Sequence, residues 1–173
     1  MAIKKYNPTT NARRQMSGYT FEELTTKKPY KPLMCNIRKS SGRNNTGSIT
    51  VRHQWGWHKQ LYRMVDFFFT DKLDIPAKVE TVEYDPYRTA YISLICYRDW
   101  ERRYILAHKD VKVGDVIVTS ANAKPVSGNR TEVGNVPVGL TVYIVVLIVG
   151  NWASSVRSAW TSALVLSQEW EYT

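Results

Sequence analysis

The segment Arg52-His53-Gln54-Trp55-Gly56-Trp57-His58-Lys59-Gln60-Leu61-Tyr62-Arg63 interleaves cations with aromatic rings. Arg and Lys engage phosphates, while Trp and His stack on unpaired bases. This composition fits an RNA contact. The competing reading is that Trp55 and Trp57 cap the end of a β-barrel. His53 and His58 are five residues apart with no further Cys, His or carboxylate nearby, so RNA or structural contact suits them better than a metal. No GxSxG, Walker loop or GxGxxG occurs. Asp85 and Asp99 sit in turn-like segments, where turn chemistry accounts for them. The sequence gives no footing for an enzyme and implies no cofactor and no metal.

The charge distribution places that segment at the end of a basic arm. Residues 1–63 hold 13 Lys or Arg and two acids, Glu22 and Glu23, for a net of +11. The other 110 residues hold 11 Lys or Arg and 13 acids, for a net of −2, which gives the overall +9. A dense cationic arm is drawn to a polyanion, and neutralising nucleic-acid phosphates releases counterions. A solvated basic tail with no partner is the alternative.

Twenty-one aromatic residues and an apolar fraction of 43% argue for a packed core rather than global disorder. Cys35 and Cys96 form no CxxC or Cys/His pattern, which speaks against a disulfide framework and structural zinc. Two reduced thiols are expected, Cys96 buried in a strand. The N-terminus lacks the apolar core of a secretory signal, and the longest apolar run, Val142 to Val149, is far shorter than a bilayer span. No membrane partner is expected.

Residues 1–47, with Pro8, Pro29 and Pro32 and a polar stretch from Lys39 to Gly47, read as an extended arm with little that could build a core. Thr20 to Leu24 could form a short helix or turn, with Thr20 as N-cap. From Ser48 the period changes to two. Strands are expected at Ile49–Arg52, Leu61–Phe67, Ala77–Tyr84, Ala90–Tyr97, Arg102–Ala107 and Val113–Val118, with turns at Asp85-Pro86 and Asp99-Trp100. This meander suggests a small barrel. A polar loop, Ser120 to Asn129, separates it from a second β-module carrying an apolar strand from Thr141 to Val149. A run apolar on both faces wants cover on both sides.

Several stretches together carry a family resemblance. They include Gly42-Arg43-Asn44-Asn45 with Gly47; Ile49-Thr50-Val51-Arg52-His53; His58-Lys59 with Tyr62-Arg63; Ile75-Pro76-Ala77-Lys78-Val79; and Glu83-Tyr84-Asp85-Pro86 with Arg88. Arg103-Tyr104-Ile105-Leu106-Ala107, Val113-Gly114-Asp115, Pro137-Val138-Gly139 and Arg157-Ser158-Ala159 follow in order. The chain resembles the N-terminal two-thirds of the bacterial-type large-subunit ribosomal protein called L-two.

The resemblance implies an all-β chain: an oligonucleotide-binding-type five-stranded barrel over residues 48–120, then a truncated SH3-like barrel over residues 125–173, preceded by the basic arm. It implies binding to large-subunit ribosomal RNA, neighbouring ribosomal proteins as partners, and a role in subunit association and the peptidyl-transferase region. The ribosome would be in the bacterial cytoplasm or, alternatively, in a mitochondrion or plastid. A second chain supplying the missing C-terminal part is a further expected partner. The RNA contacts would fall to Lys4, Lys5, Arg13, Arg14, Arg43, Asn44, Asn45, Arg52, His53, His58, Lys59, Arg63, Arg88 and Arg157. The alternative function is a free-standing β-barrel protein-interaction module that has lost RNA binding.

The departures from the family are systematic. All six tryptophans, Trp55, Trp57, Trp100, Trp152, Trp160 and Trp170, stand where the family carries glycine. Its cations are thinned at Gln54, Gln60, Leu61 and Asn151, and Val145 and Ile148 replace polar residues.

Overall fold

The computed structural model describes residues 3–148 and 150–168. The chain is all-β, built on a curled half-barrel sheet of the oligonucleotide-binding type. In chain order the elements are β1 (Ile3–Lys5), α1 (Asn11–Arg14), β2 (Ser17–Tyr19), a 3₁₀ turn at Lys31–Leu33, β3 (Met34–Cys35), β4 (Tyr62–Arg63), β5 (Ala77–Glu83), β6 (Ile92–Tyr97), β7 (Arg102–Leu106), β8 (Val116–Ile117), a 3₁₀ turn at Val133–Asn135, β9 (Thr141–Val142) and β10 (Ala163–Leu164).

The central sheet runs β7-β6-β5-β8, all antiparallel. A bridge from Val65 to Tyr104 extends it beyond β7. Alternation puts Ala77 and Val79 of β5 inside and Lys78 outside. The pairing with β6 then shifts between Val79 and Thr81, leaving Glu80 as a bulge. That extra residue restores parity so that Val82 reaches the same cluster as Ala77 and Val79. A bulge also bends the strand and raises its twist, which curls the sheet. The outward Glu80 is held by Arg102 of β7 at 2.8 Å.

Strand β6 is buried on both faces. Ile95 and Tyr97 join the inner cluster with Ile105, Ile117 and Phe69. Ile92 and Leu94 join an outer cluster with Tyr104 and Leu106. The N-terminal arm supplies the outer cover, with Tyr30 and Leu33 packing there beside Val65 and Phe67. This corrects the expectation that residues 1–47 contribute little to a core. Polar bonds fix the arm in place. Thr25 bonds to Val82 through its own N–H, at 3.1 Å, and through its hydroxyl, which accepts the Val82 N–H at 2.9 Å. The Tyr104 hydroxyl donates to Glu83 at 2.8 Å and accepts the Tyr30 N–H at 2.7 Å. Burial pushes the Tyr104 phenol above its ordinary range, so it stays a donor.

The flanking pieces are small. β1 pairs with β2 around α1, whose N-cap is Thr10. β3 pairs with β4, and β9 with β10. The expected strand at Ile49–Arg52 is absent: the Gly42 carbonyl captures the N–H groups of Thr50 and Val51, leaving a bridge from Arg43 to Ile49. The expected strand from Thr141 ends at Val142, because Ile144 turns into the left-handed region at φ 57°. Val145 then bridges to Ser155, and Val149 lies outside the described residues. Thr20 to Leu24 forms a turn, with Leu24 N–H bonded to the Phe21 carbonyl. Cys96 lies in β6 but is only half-buried.

The β6–β7 hairpin turns through Arg98, Asp99 and Trp100. Trp100 N–H bonds to the Tyr97 carbonyl, and Tyr97 N–H to the Glu101 carbonyl, both at 2.9 Å. Trp100 sits at φ 69°, the left-handed position where such three-residue turns favour glycine. Its ring is 80% exposed, so nothing packs to offset the strain. Trp100→Gly should therefore stabilise the fold by about 1 kcal/mol. The readout is a higher urea midpoint at unchanged slope; an unchanged or lower midpoint would refute it.

Charges lock the same hairpin to the segment before β5. Arg103 meets Asp66 at 2.8 Å, Asp71 at 2.5 Å and Glu101 at 2.7 Å, and Lys72 meets Glu101 at 2.7 Å and Asp99. The Arg103 hydrogen bond holds the Asp71 carboxyl below its ordinary 3.8, and Lys72 then Arg103 hold Glu101 below 4.5. A carboxylate depressed in the folded state stabilises above its unfolded pKa, and that contribution fades as pH falls through the folded value. Acid should thus erode stability below about pH 5. Arg103→Met should move the Asp71 and Glu101 titrations, followed by carboxyl NMR, up towards their ordinary values. Unmoved titrations would mean that the contacts do not persist in solution.

Candidate nucleic-acid interface

The expected contact residues fall into three groups. In the first, Lys4 and Lys5 lie on β1, with Arg13 and Arg14 in the last turn of α1. Lys4 Nζ and the Arg13 guanidinium stand 5.5 and 5.9 Å from the centre of the Tyr6 ring. All four cations are exposed and point their charge at solvent.

The second group occupies two adjoining loops. Gly42, buried at φ 71°, is the pivot: a Cβ there would meet the Val51 carbonyl oxygen at 2.3 Å, so only glycine fits. Asn44 shapes the tip. Its side-chain oxygen accepts from the N–H groups of Thr46 and Ser48 at 3.0 and 2.9 Å and from the Thr46 hydroxyl at 2.7 Å. Asn44 is therefore a loop former first. Arg43 steadies the loop through Nη1 to the Gly47 carbonyl at 3.2 Å, while Asn45 is exposed. The next loop carries Arg52, His53, His58 and Lys59, all exposed. His58 Nδ1 lies 2.9 Å from the Lys59 carbonyl, so that nitrogen donates. Gly56 packs on Ser41, where a Cβ would come within 2.9 Å of its hydroxyl, and so ties the second loop to the first. Trp55 and Trp57 are 72% and 83% exposed, which disposes of the barrel-cap reading.

The third group gathers on the aromatic wall of the barrel. The guanidinium groups of Arg88 and Arg157 lie 5.6 and 4.9 Å from the centre of the Phe67 ring. Arg88 also lies 5.9 Å from the Tyr62 ring centre, and Tyr62 meets Tyr87 edge-on at 5.5 Å. Arg88 is largely spoken for: its Nε is 2.6 Å from the carboxylate of Asp85, which is fully buried. Removing it would strand a buried charge. Arg63 is half-buried and bonds to the Leu61 carbonyl at 2.9 Å. Arg157 remains exposed.

Lys39 belongs with this wall, although nothing in its sequence neighbourhood singles it out. Its Nζ lies 5.3 Å from the Tyr87 ring centre and 3.3 Å from the Gln60 side-chain oxygen. Only the folded chain brings residues 39, 60 and 87 together.

The electrostatic pattern is sharper than the sequence count. Among the described residues every ion pair uses Lys72, Arg88, Arg102 or Arg103. Among the described residues no cation of residues 3–63 is paired with an acid. No group of three or more His, Cys, Asp or Glu among the described residues could hold a metal ion, and no helix there is long and apolar enough to cross a membrane.

The family model described as Ribosomal Proteins L2, RNA binding N-terminal domain, matches residues 30–119, which include the two loops, the aromatic rings of the wall and the whole central sheet. The match spans more than half of the chain, and the protein belongs to that ribosomal protein family.

Proposed function

We propose that this chain is a structural, non-catalytic component of the large ribosomal subunit that binds large-subunit ribosomal RNA. The observation that carries this reading is that, among the described residues, no cation of residues 3–63 meets an acid, while the ion pairs all fall on Lys72, Arg88, Arg102 and Arg103. Charges left without an internal carboxylate on shaped, exposed loops suit an external polyanion. Arg43, Arg52, Lys59 and Arg157, with Lys4, Lys5, Arg13 and Arg14, are the phosphate contacts. His53 and His58 flank them, Asn44 and Asn45 present the first loop, and Arg63 and Arg88 build the wall behind. The finer roles, in subunit association and in shaping the peptidyl-transferase region, are part of this proposal and follow from the family resemblance alone.

A second reading rests on apolar exposure beyond the barrel. Leu147, Ile148 and Trp152 are exposed, and Trp152 meets exposed Phe68 with ring centres 6.3 Å apart. Such a surface suits a protein neighbour. Co-migration with large subunits on a gradient supports the ribosomal reading, whereas a soluble complex free of RNA supports an interaction module.

Two outcomes test the RNA reading. With about six phosphate contacts, affinity for a large-subunit RNA fragment should fall roughly a thousandfold between about 50 and 200 mM salt. The triple variant Arg43→Gln, Arg52→Gln, Lys59→Gln should flatten the slope of log K against log salt by about 3. A salt-independent wild type would end the proposal.

The tryptophan loop gives a further outcome. Trp57 is left-handed at φ 50°, as a glycine would be, and its ring touches no other ring among the described residues. Replacing Trp55 and Trp57 together by glycine should strengthen RNA binding, because the backbone could then approach the phosphates. Weaker binding, on the order of 1–3 kcal/mol, would instead show that the rings stack on bases.

A further inference from the structure

A partly enclosed cavity of about 50 Å³ opens at the mouth of the half-barrel, between the sheet and the segment at Tyr143. Arg130 stands in its wall. Its backbone is fixed beside β8, donating to the Val118 carbonyl and accepting from the Ser120 N–H, both at 3.0 Å. Its guanidinium lies 4.3 Å from the centre of the Phe69 ring. Nη1 is shielded from solvent and has no hydrogen-bond partner among the described residues. A shielded donor with no acceptor is costly, and a buried unpaired charge is costlier. Burial accordingly lowers the Arg130 pKa, against a weaker upward pull from Asp66. Asp66 does not pair with it, being held by Arg103 at 2.8 Å.

The rest of the wall offers donors and no carboxylate. Asn129 is satisfied, accepting the Val118 N–H at 3.0 Å and donating to the Lys124 carbonyl at 3.2 Å. Thr119, Tyr97 and Tyr143 bring hydroxyls, and the two tyrosine hydroxyls have no partner among the described residues. Burial pushes both phenols up to about 12, so they are neutral donors at ordinary pH. The remaining lining is apolar. The space exceeds the roughly 10–15 Å³ that one water needs, yet no nucleotide would fit.

We propose that this cavity binds a small monovalent anion of the halide type, chloride foremost, seated against the Arg130 guanidinium and the hydroxyls of Tyr97 and Tyr143. Such an ion would neutralise the half-buried Arg130 and join the barrel mouth to the Tyr143 segment. The site is independent of the RNA surface, none of whose residues line it.

The test is chloride NMR linewidth on the full chain, titrated at constant ionic strength. The wild type should show saturable broadening that bromide displaces, and Arg130→Met should abolish it. Broadening that never saturates, or that survives in Arg130→Met, would assign the effect to ions around the basic arm and overturn the proposal. Should Arg130→Met fail to fold, Tyr143→Phe decides: weaker chloride binding upholds the site, and unchanged broadening overturns it.

Discussion

Strand β6 needs cover on both faces, and the rest of the structure follows from that need. Ile92 and Leu94 point one way and Ile95 and Tyr97 the other, so a single curled sheet cannot bury them all. The inner face closes on itself with Phe69, Ile105 and Ile117. The outer face has to borrow Tyr30 and Leu33 from the arm. Partly burying these two side chains is worth about 1.5–3 kcal/mol before entropy, which favours ordering the segment that carries them. The Tyr104 hydroxyl, bonded to Glu83 and to the Tyr30 N–H, adds direction to a contact that hydrophobic burial leaves sliding.

That cover divides the cations. The arm is pinned at Thr25 to Leu33 and again where β3 pairs with β4. The pinned stretches flank the loops that carry Arg43, Arg52 and Lys59, which are displayed on the barrel at a fixed place rather than trailing from it. Three cations of the barrel have a different job. Arg88, Arg102 and Arg103 each hold a carboxylate and lie against an aromatic ring, so their charge is largely consumed by the fold. A carboxylate within reach, rather than residue type, separates a cation that stabilises from one that is free to bind.

The meander from Ala77 to Leu106 was legible because it depends on local signals. Period-two alternation marks β5, a continuous apolar run marks β6, and Asp85-Pro86 and Asp99-Trp100 supply the turns. What the sequence hid depends on distant partners. Tyr30 and Leu33 look like stray apolar residues in a polar arm until β6 is seen to want cover. Ile49 to Arg52 alternates like a strand, but the Gly42 carbonyl takes the N–H groups that a neighbouring strand would use. The apolar stretch from Thr141 reads as one strand and is broken by a left-handed Ile144, which periodicity cannot reveal. The basic arm and the mixed loop were visible as composition. The wall that joins Lys39, Arg88 and Arg157 was not, because its members are far apart in the chain.

The tryptophans show how far sequence and geometry agree at a finer grain. The family resemblance places glycine at each of them, and the backbone independently takes the glycine-type conformation at Trp57, Trp100 and Trp160, with φ of 50°, 69° and 65°. A left-handed non-glycine residue costs about 1–2 kcal/mol, and these indoles are more than 80% exposed or at that value, so packing returns almost nothing. Three such positions together amount to a sizeable share of a domain's net stability, which is of order 5–15 kcal/mol. The chain tolerates them because all three lie in exposed loops, off the doubly buried strand that holds the fold together. The strain falls where it loosens turns and leaves the core clusters around β6 intact, so its first effect is on the surfaces the turns present and not on whether the sheet forms.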